Sequence, residues 1–202
     1  LILMSDNQSA DHLGCYGDKS VKTPNIDKLA ENGVLFNNAF CSAPSCSPAR
    51  SAMLSGQDIW RLKQAANLWS SFPKVKVFTG LLEEDGYKVG IEGKGWGPGN
   101  YKISGWDKNP GGDKFNSFKS FINKSKKNKP WLYWYSSTDP HRPFRKNGWK
   151  NSKINLDSIF VPPYLPDNIE IRKDIADYYD EIQIFDTEVG SYISYLKEIN
   201  EL

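Results

Sequence analysis

Cysteine and histidine are scarce in this chain, with three of the first and two of the second among 202 residues. Cys15, Cys41 and Cys46 are an odd number at no zinc-like spacing. That excludes a complete disulfide framework and a tetrahedral metal site built on cysteine, and leaves at least one thiol over. No apolar run approaches the ~18 residues of a membrane span. The basic start and small-residue cleavage site of a signal peptide are also missing. An excess of one charge is absent too: 26 Lys and Arg face 24 Asp and Glu, for a net charge of +2. Without a dense basic block, a nucleic-acid partner is not expected. The densest basic run, "NKSKKNK" at 123–129, reads as a solvated helix end.

What is present is apolar enough, at 39% hydrophobic and 13% aromatic residues, to bury one substantial core. Short apolar runs alternate with turn chemistry and helical periodicity, which predicts an α/β fold around a mainly parallel sheet flanked by helices. "LILMS" (1–5), "VLFNNAF" (34–40), "KVGIEG" (88–93) and "WLYWYSS" (131–137) are the strand candidates. "TPNIDKLAENG" predicts a helix with Thr23 as N-cap, Pro24 in its first turn and Gly33 as its stop. "VFTGLLEEDGYKVG" reads as a helix closed by Gly86 and followed by a strand. Residues 95–130 are rich in Gly, Asn, Pro and Trp and predict a long surface loop before a helix near 114–126. From Arg172 to Asn200, Ile175, Tyr179, Ile182, Phe185, Val189, Tyr192 and Leu196 recur every three or four residues, the pattern of one long amphipathic helix. "LILMSD" opens without a preceding turn, and "KEINEL" closes where another strand is expected. The whole chain, 1–202, is therefore read as the larger, N-terminal part of one α/β domain, incomplete at both ends.

Four places could carry chemistry. Asp6-Asn7 follows the first strand, and in open α/β sheets ligands bind beyond the carboxyl ends of strands. Carboxylate and amide oxygens suit a hard cation such as Ca²⁺ or Mg²⁺, although Asp and Asn serve equally as turn or cap residues. In "CSAPSCSPARSAMLSG" (41–56), Pro48 places Cys46 at or just before a helix N-terminus, a pole that attracts anions and lowers a thiol's pKa. Arg50, four residues on, can offer a planar fork to a tetrahedral oxyanion. A structural cysteine beside a surface arginine is the plainer alternative, and a thiol phosphatase would space its arginine further from the cysteine. Lys94, in the glycine-rich turn "GKGWGPG" after a strand, can meet an anion as a point charge or be a solvated loop lysine. His141, in "STDPHRPF", stands where α/β enzymes keep acids and bases, or is a turn histidine between prolines. His12 is read as structural, and Cys41 as an ordinary buried thiol.

Taken together, "CSPARSAMLSG" resembles the signature of the type I sulfatases, Cys-x-Pro-x-Arg before a helix ending in Gly, with Cys46, Pro48 and Arg50 at the fixed positions. The resemblance continues through "SDNQSADHLGCYGD", "TPNIDKLAENGVLFNNAF", "GYKVGIEGKGWGPG" and "DPHRPF". "GKGWGPG", "DPHR" and "FVPPYLPD" point to the heparan N-sulfatase branch. The resemblance implies an alkaline-phosphatase-like fold and a sulfohydrolase acting on sulfate esters or sulfamates of glycosaminoglycan-like carbohydrates. It also implies that a maturation enzyme oxidises Cys46 to formylglycine, and that Asp6, Asn7 and the modified Cys46 contribute to a Ca²⁺ site, with Mg²⁺ as the other option. Arg50 would steady the formylglycine, Lys94 and His141 would contact sulfate, and the protein would work in the periplasm, outside the cell or in lysosomes. Two positions depart from the family pattern: Asn7 stands where many members carry a second aspartate, and Trp96 stands where Lys-x-His is usual. The remaining metal ligands are expected beyond Leu202, so the 202 residues alone are expected to bind metal weakly and to be inactive. Two other readings stay open. One is a phosphonate or phosphate ester hydrolase of the same fold. The other is a non-catalytic glycan-binding relative using Trp96, Trp106, Trp149 and loop tyrosines to stack on sugars.

Overall fold

A computed structural model describes residues 1–125 and 129–202. The basic run at 123–129 therefore falls in part outside the described residues. The chain divides into two compact units, one of Leu1–Met4 with Asn38–Thr138 and one of Ser5–Asn37 with Asp139–Leu202.

The first unit is built on a parallel sheet of four strands: β1 (Ile2–Met4), β2 (Lys88–Gly93), β3 (Asp113–Lys114) and β4 (Trp131–Ser136), in the order β1-β4-β2-β3. The register sets Met4 and Gly93 both opposite Ser136, so three strands end level at one edge. Side chains alternate between faces along a strand, and Tyr133 and Trp134 show it. Tyr133 meets Phe118 and Phe121 of α4 (Phe118–Lys124), while Trp134 joins Leu54, Leu62, Phe72, Val77, Ile91 and Trp96. The second group includes Leu54 of α2 (Cys46–Ser55) and packs with Phe78 of α3 (Phe78–Glu84). Both faces are thus covered, as a parallel sheet requires. Gly90 makes the α4 face possible, because a Cβ there would stand 2.6 Å from the Phe121 ring.

The second unit holds α1 (Pro24–Asn32) and α5 (Ile169–Glu198). Asn168 caps α5, its Oδ1 accepting from the N–H groups of Glu170 and Ile171 at 3.1 and 3.0 Å, which starts the helix three residues before the first residue expected from periodicity. Tyr179, Ile182, Phe185, Val189, Tyr192 and Leu196 are buried as their spacing predicts. Pro24 and Gly33 bound α1 as expected, but Thr23 does not cap it with its side chain. The Thr23 hydroxyl instead accepts from the Gly14 N–H and donates to Asp27, and the free N–H groups of the first turn go to Asp186 of α5. Gly190 lets the helices approach, since a Cβ there would meet Asn25 at 2.5 Å.

Three further expectations are corrected. The run 34–40 forms no strand; Val34, Phe36 and Phe40 are exposed, and an apolar run without a ladder partner among the described residues cannot become one. The predicted loop 95–130 contains β3, whose pairing with Gly90 and Ile91 claims Asp113 and Lys114 and delays α4 to Phe118, with Ser117 as its cap. Cys41, read as a buried thiol, is exposed, because it lies in the irregular segment before α2 rather than against the core.

Candidate active site

Cys46 is the first residue of α2, half-buried, and the N-cap residue Ser45 makes no side-chain cap bond. An α-helix start of this kind directs backbone N–H groups and the positive end of the dipole toward whatever Cys46 carries. Arg50, one turn further, is only 3% exposed, so it is not a surface arginine. Its Nη1 donates to the Gly95 carbonyl at 2.7 Å and to the Ser136 hydroxyl at 2.5 Å, and the guanidinium lies over the Trp134 ring. A planar group stacked and hydrogen-bonded on one edge is held in one orientation.

Lys94 follows β2 directly and extends its pairing, its N–H donating to the Ser136 carbonyl at 3.1 Å. Gly93 before it takes φ 76°, and a Cβ there would sit 2.1 Å from that same carbonyl oxygen. Only a residue without a side chain lets the strand end so close to β4. Arg50 and Lys94 are therefore tied to one residue, Ser136: Arg50 to its hydroxyl and Lys94 to its carbonyl. Asn109 shapes the rest of the turn, accepting from the N–H groups of Trp96 and Gly111 and donating to the Trp96 carbonyl at 2.9 Å.

Trp96, at the position of the usual histidine, is buried at 2% exposure. Its indole N–H donates to Ser51 Oγ at 2.8 Å, and Ser51 in turn donates to the Ser47 carbonyl, so this side chain braces α2 from beneath. Trp106 stacks on Phe72 and donates to its carbonyl. The enclosed Trp96 presents no face to a sugar, and the stacking reading loses it, whereas Trp106 is only partly buried.

In the second unit, Asp6 is buried and its N–H donates to the Asp139 carbonyl at 2.9 Å. A carboxylate oxygen of Asp6 and a ring nitrogen of His141 lie within 4.8 Å of each other. Asn7 takes φ 62°, and its carbonyl accepts from the Tyr178 hydroxyl at 3.3 Å. The donor chemistry of Asp6 and Asn7, a carboxylate beside an amide, fits a hard dication. His141 is exposed, and its Nδ1 bonds the Arg142 carbonyl at 2.5 Å. A carbonyl only accepts, so Nδ1 carries the proton and Nε2 is the nitrogen that can exchange one.

Side chains along α5 hold the segment after His141. Asp174 receives Arg142 through both guanidinium nitrogens, Asp177 accepts from the Asn147 and Trp149 N–H groups, and Glu181 accepts from the Arg145 N–H at 2.8 Å. Burial, and then the carboxylates around them, push Asp139 and Glu181 both above the usual carboxylate range. His12, bonded to Asp18 and Tyr179 at 3.2 Å each, is structural as expected. Ser136, Tyr178 and Glu181 carried no local signal, because each acts on a partner far away in sequence; Asn109 acts closer by, on Trp96 and Gly111.

Fold and donors define an alkaline-phosphatase-like α/β protein. The family model described as Sulfatase matches residues 1–202, and the chain belongs to the sulfatase family. It is 26% identical to human N-sulphoglucosamine sulphohydrolase over 239 residues, covering 100% of this chain and 47% of that protein. It is 38% identical to mouse iduronate 2-sulfatase over 105 residues, covering 49% of this chain and 18% of the relative. Full-chain similarity thus extends over about half the length of the curated relative. Among solved structures, yidJ of Bacteroides fragilis superposes with a TM-score of 0.78 at 22% identity, over 98% of this chain and 58% of that one. The phosphonate monoester hydrolase of Agrobacterium radiobacter gives 0.68 at 16%, over 99% and 59%. Among the described residues no helix is long and apolar enough to cross a membrane.

Proposed function

We propose that this chain carries nucleophile and sulfate-contacting residues of a sulfohydrolase acting on sulfated, glycosaminoglycan-like carbohydrates, and that it is part of one catalytic domain. The observation that carries the reading is Cys46 at the head of α2 with a buried, fixed Arg50 one turn behind it. A maturation enzyme would convert Cys46 to formylglycine. That group, hydrated, supplies one hydroxyl to take the sulfuryl group and a second from which the aldehyde can later re-form and release sulfate. Ca²⁺, with Mg²⁺ as the other option, would be held by Asp6 and Asn7 together with the modified Cys46, and would supply positive charge to sulfate oxygens.

The chain's own residues do the rest. Arg50 holds its charge beside the nucleophile without moving, since Ser136 and Gly95 fix it, and preorganised charge is what lowers such barriers. Lys94 adds a point charge toward the sulfate. As the imidazolium, His141 would give the proton on Nε2 to the departing amine or alcohol and keep Nδ1–H on the Arg142 carbonyl. Trp96 has no exchangeable proton suited to acid–base work, so its replacement of histidine leaves the proton duties to His141. An exported or lysosomal setting accords with sulfated glycans as substrates.

Peptide mass spectrometry across Cys46, on protein from its native host, tests the mechanism. Aldehyde at position 46 is the expected result, and an unmodified cysteine would sink it. The structural likeness to a phosphonate monoester hydrolase favours a second reading, a phosphonate or phosphate ester hydrolase. Calcium-dependent release of sulfate but not phosphate from matched esters decides between them.

A further inference from the structure

Tyr178 stands where the turn of Asp6-Asn7 and the segment of His141 meet α5. Its hydroxyl accepts the Ser9 N–H at 2.9 Å and donates to the Asn7 carbonyl at 3.3 Å. A hydroxyl offers one donor and two acceptor sites, so the two bonds use it in complementary ways and close the turn from both sides of Gln8. Within that turn Asn7 holds φ 62°, the left-handed conformation that asparagine adopts more readily than most non-glycine residues.

The ring of the same side chain reaches the other segment. It lies 5.7 Å from Phe144, three residues beyond His141, and 5.6 Å edge-on to His12. Asp174, one turn earlier on the same helix face, takes Arg142. The turn of Asp6 is joined to the His141 segment again through the bond from the Asp6 N–H to Asp139. Tyr178 thus sits on a 30-residue helix and touches one segment with its hydroxyl and the other with its ring.

We propose that Tyr178 is a positioning residue, whose hydroxyl fixes the Asp6-Asn7 turn in the shape in which those oxygens serve a divalent cation. The inference rests on the metal reading above. Tyr178→Phe is the direct variant, because it keeps both ring contacts and removes the hydroxyl alone. Phe144→Leu is the control, since it thins the ring packing and leaves the hydroxyl in place.

The measurements, made on the full-length protein, are calorimetric titration with Ca²⁺ alone and amide exchange of the peptide spanning residues 5–9. The expectation for Tyr178→Phe is about five- to tenfold weaker Ca²⁺ binding, the scale of one or two lost hydrogen bonds, with faster exchange at Ser9. Phe144→Leu should stay within about twofold of the unaltered chain on the same scale. Equal affinity in the unaltered chain and Tyr178→Phe overturns the proposal. So does an equal loss in Phe144→Leu, which would assign the effect to packing. If the unaltered full-length protein takes up no Ca²⁺, the metal reading itself fails. The clamp is then judged on exchange: unchanged protection at Ser9 in Tyr178→Phe overturns it, and faster exchange upholds the hold on the turn.

Discussion

Replacing Asp186 by alanine should weaken the second unit far more than an exposed helix-face change, because this carboxylate does the capping that Thr23 does not. Asp186 is 2% exposed. One oxygen accepts from the backbone N–H groups of Asn25 and Ile26 at 3.1 and 2.8 Å, and the other from the Asn25 amide at 2.8 Å. Losing a helix cap costs about 1–2 kcal/mol, and leaving a buried donor without a partner adds about 1–3 kcal/mol. These terms overlap, so Asp186→Ala should cost about 2–4 kcal/mol by the same scales. Asp186→Asn keeps one acceptor oxygen for the Asn25 and Ile26 N–H groups but loses the charge at the positive end of α1 and the second oxygen that takes the Asn25 amide, and should cost about 1–2 kcal/mol. Urea denaturation followed by far-UV circular dichroism reads both, with an unchanged slope showing that native stability moved. A cost below about 0.5 kcal/mol for Asp186→Ala would mean that the first turn of α1 finds its acceptors elsewhere, and the reasoning would be wrong.

Two further outcomes test other parts of the molecule. Cys41 is exposed, whereas burial and then the Asp27 carboxylate push the Cys15 thiol above its usual range. Alkylation consumes the thiolate, so iodoacetamide mapping should find Cys41 modified well before Cys15, with the gap narrowing as pH rises. The fold favours the protonated Cys15 thiol, and that contribution is full below the ordinary thiol pKa and fades as pH climbs through the raised one; Cys15 keeping pace with Cys41 at neutral pH would contradict this. Gly93→Ala should cost at least about 2 kcal/mol, since left-handed backbone is strained for alanine and its Cβ would fall 2.1 Å from the Ser136 carbonyl. A thermal melt indistinguishable from the parent would show that the end of β2 can shift without cost.

The readable parts of the sequence were the local ones. Pro24 with Gly33 bounded α1, Pro48 put Cys46 at the start of α2, and a three-to-four spacing marked α5, because each signal and its effect lie within a few turns of chain. Where the partner is distant the signal fades. Nothing near Asp186 announces a cap for a helix some 160 residues earlier. Ser136 and Arg50, 86 residues apart, look unrelated until β4 and α2 are set in place. The run at 34–40 has strand composition, yet composition names no ladder partner. The reverse holds for Asp113 and Lys114, polar residues made into strand by the neighbouring β2. Catalytic candidates were legible as a constellation through the sulfatase resemblance, whereas the residues that brace them, Asn109, Tyr178 and Glu181, were not.

The service α5 performs has a consequence for modularity. Asp6, Asn7 and His141 lie on short irregular segments, but the shape of those segments is written in side chains of a helix that follows them in the chain. Such loops are not portable. Transplanted onto another scaffold without the register of Asp174, Asp177, Tyr178 and Glu181, they would carry the candidate groups and lose the arrangement. An engineer wishing to move this chemistry would have to move the helix with it.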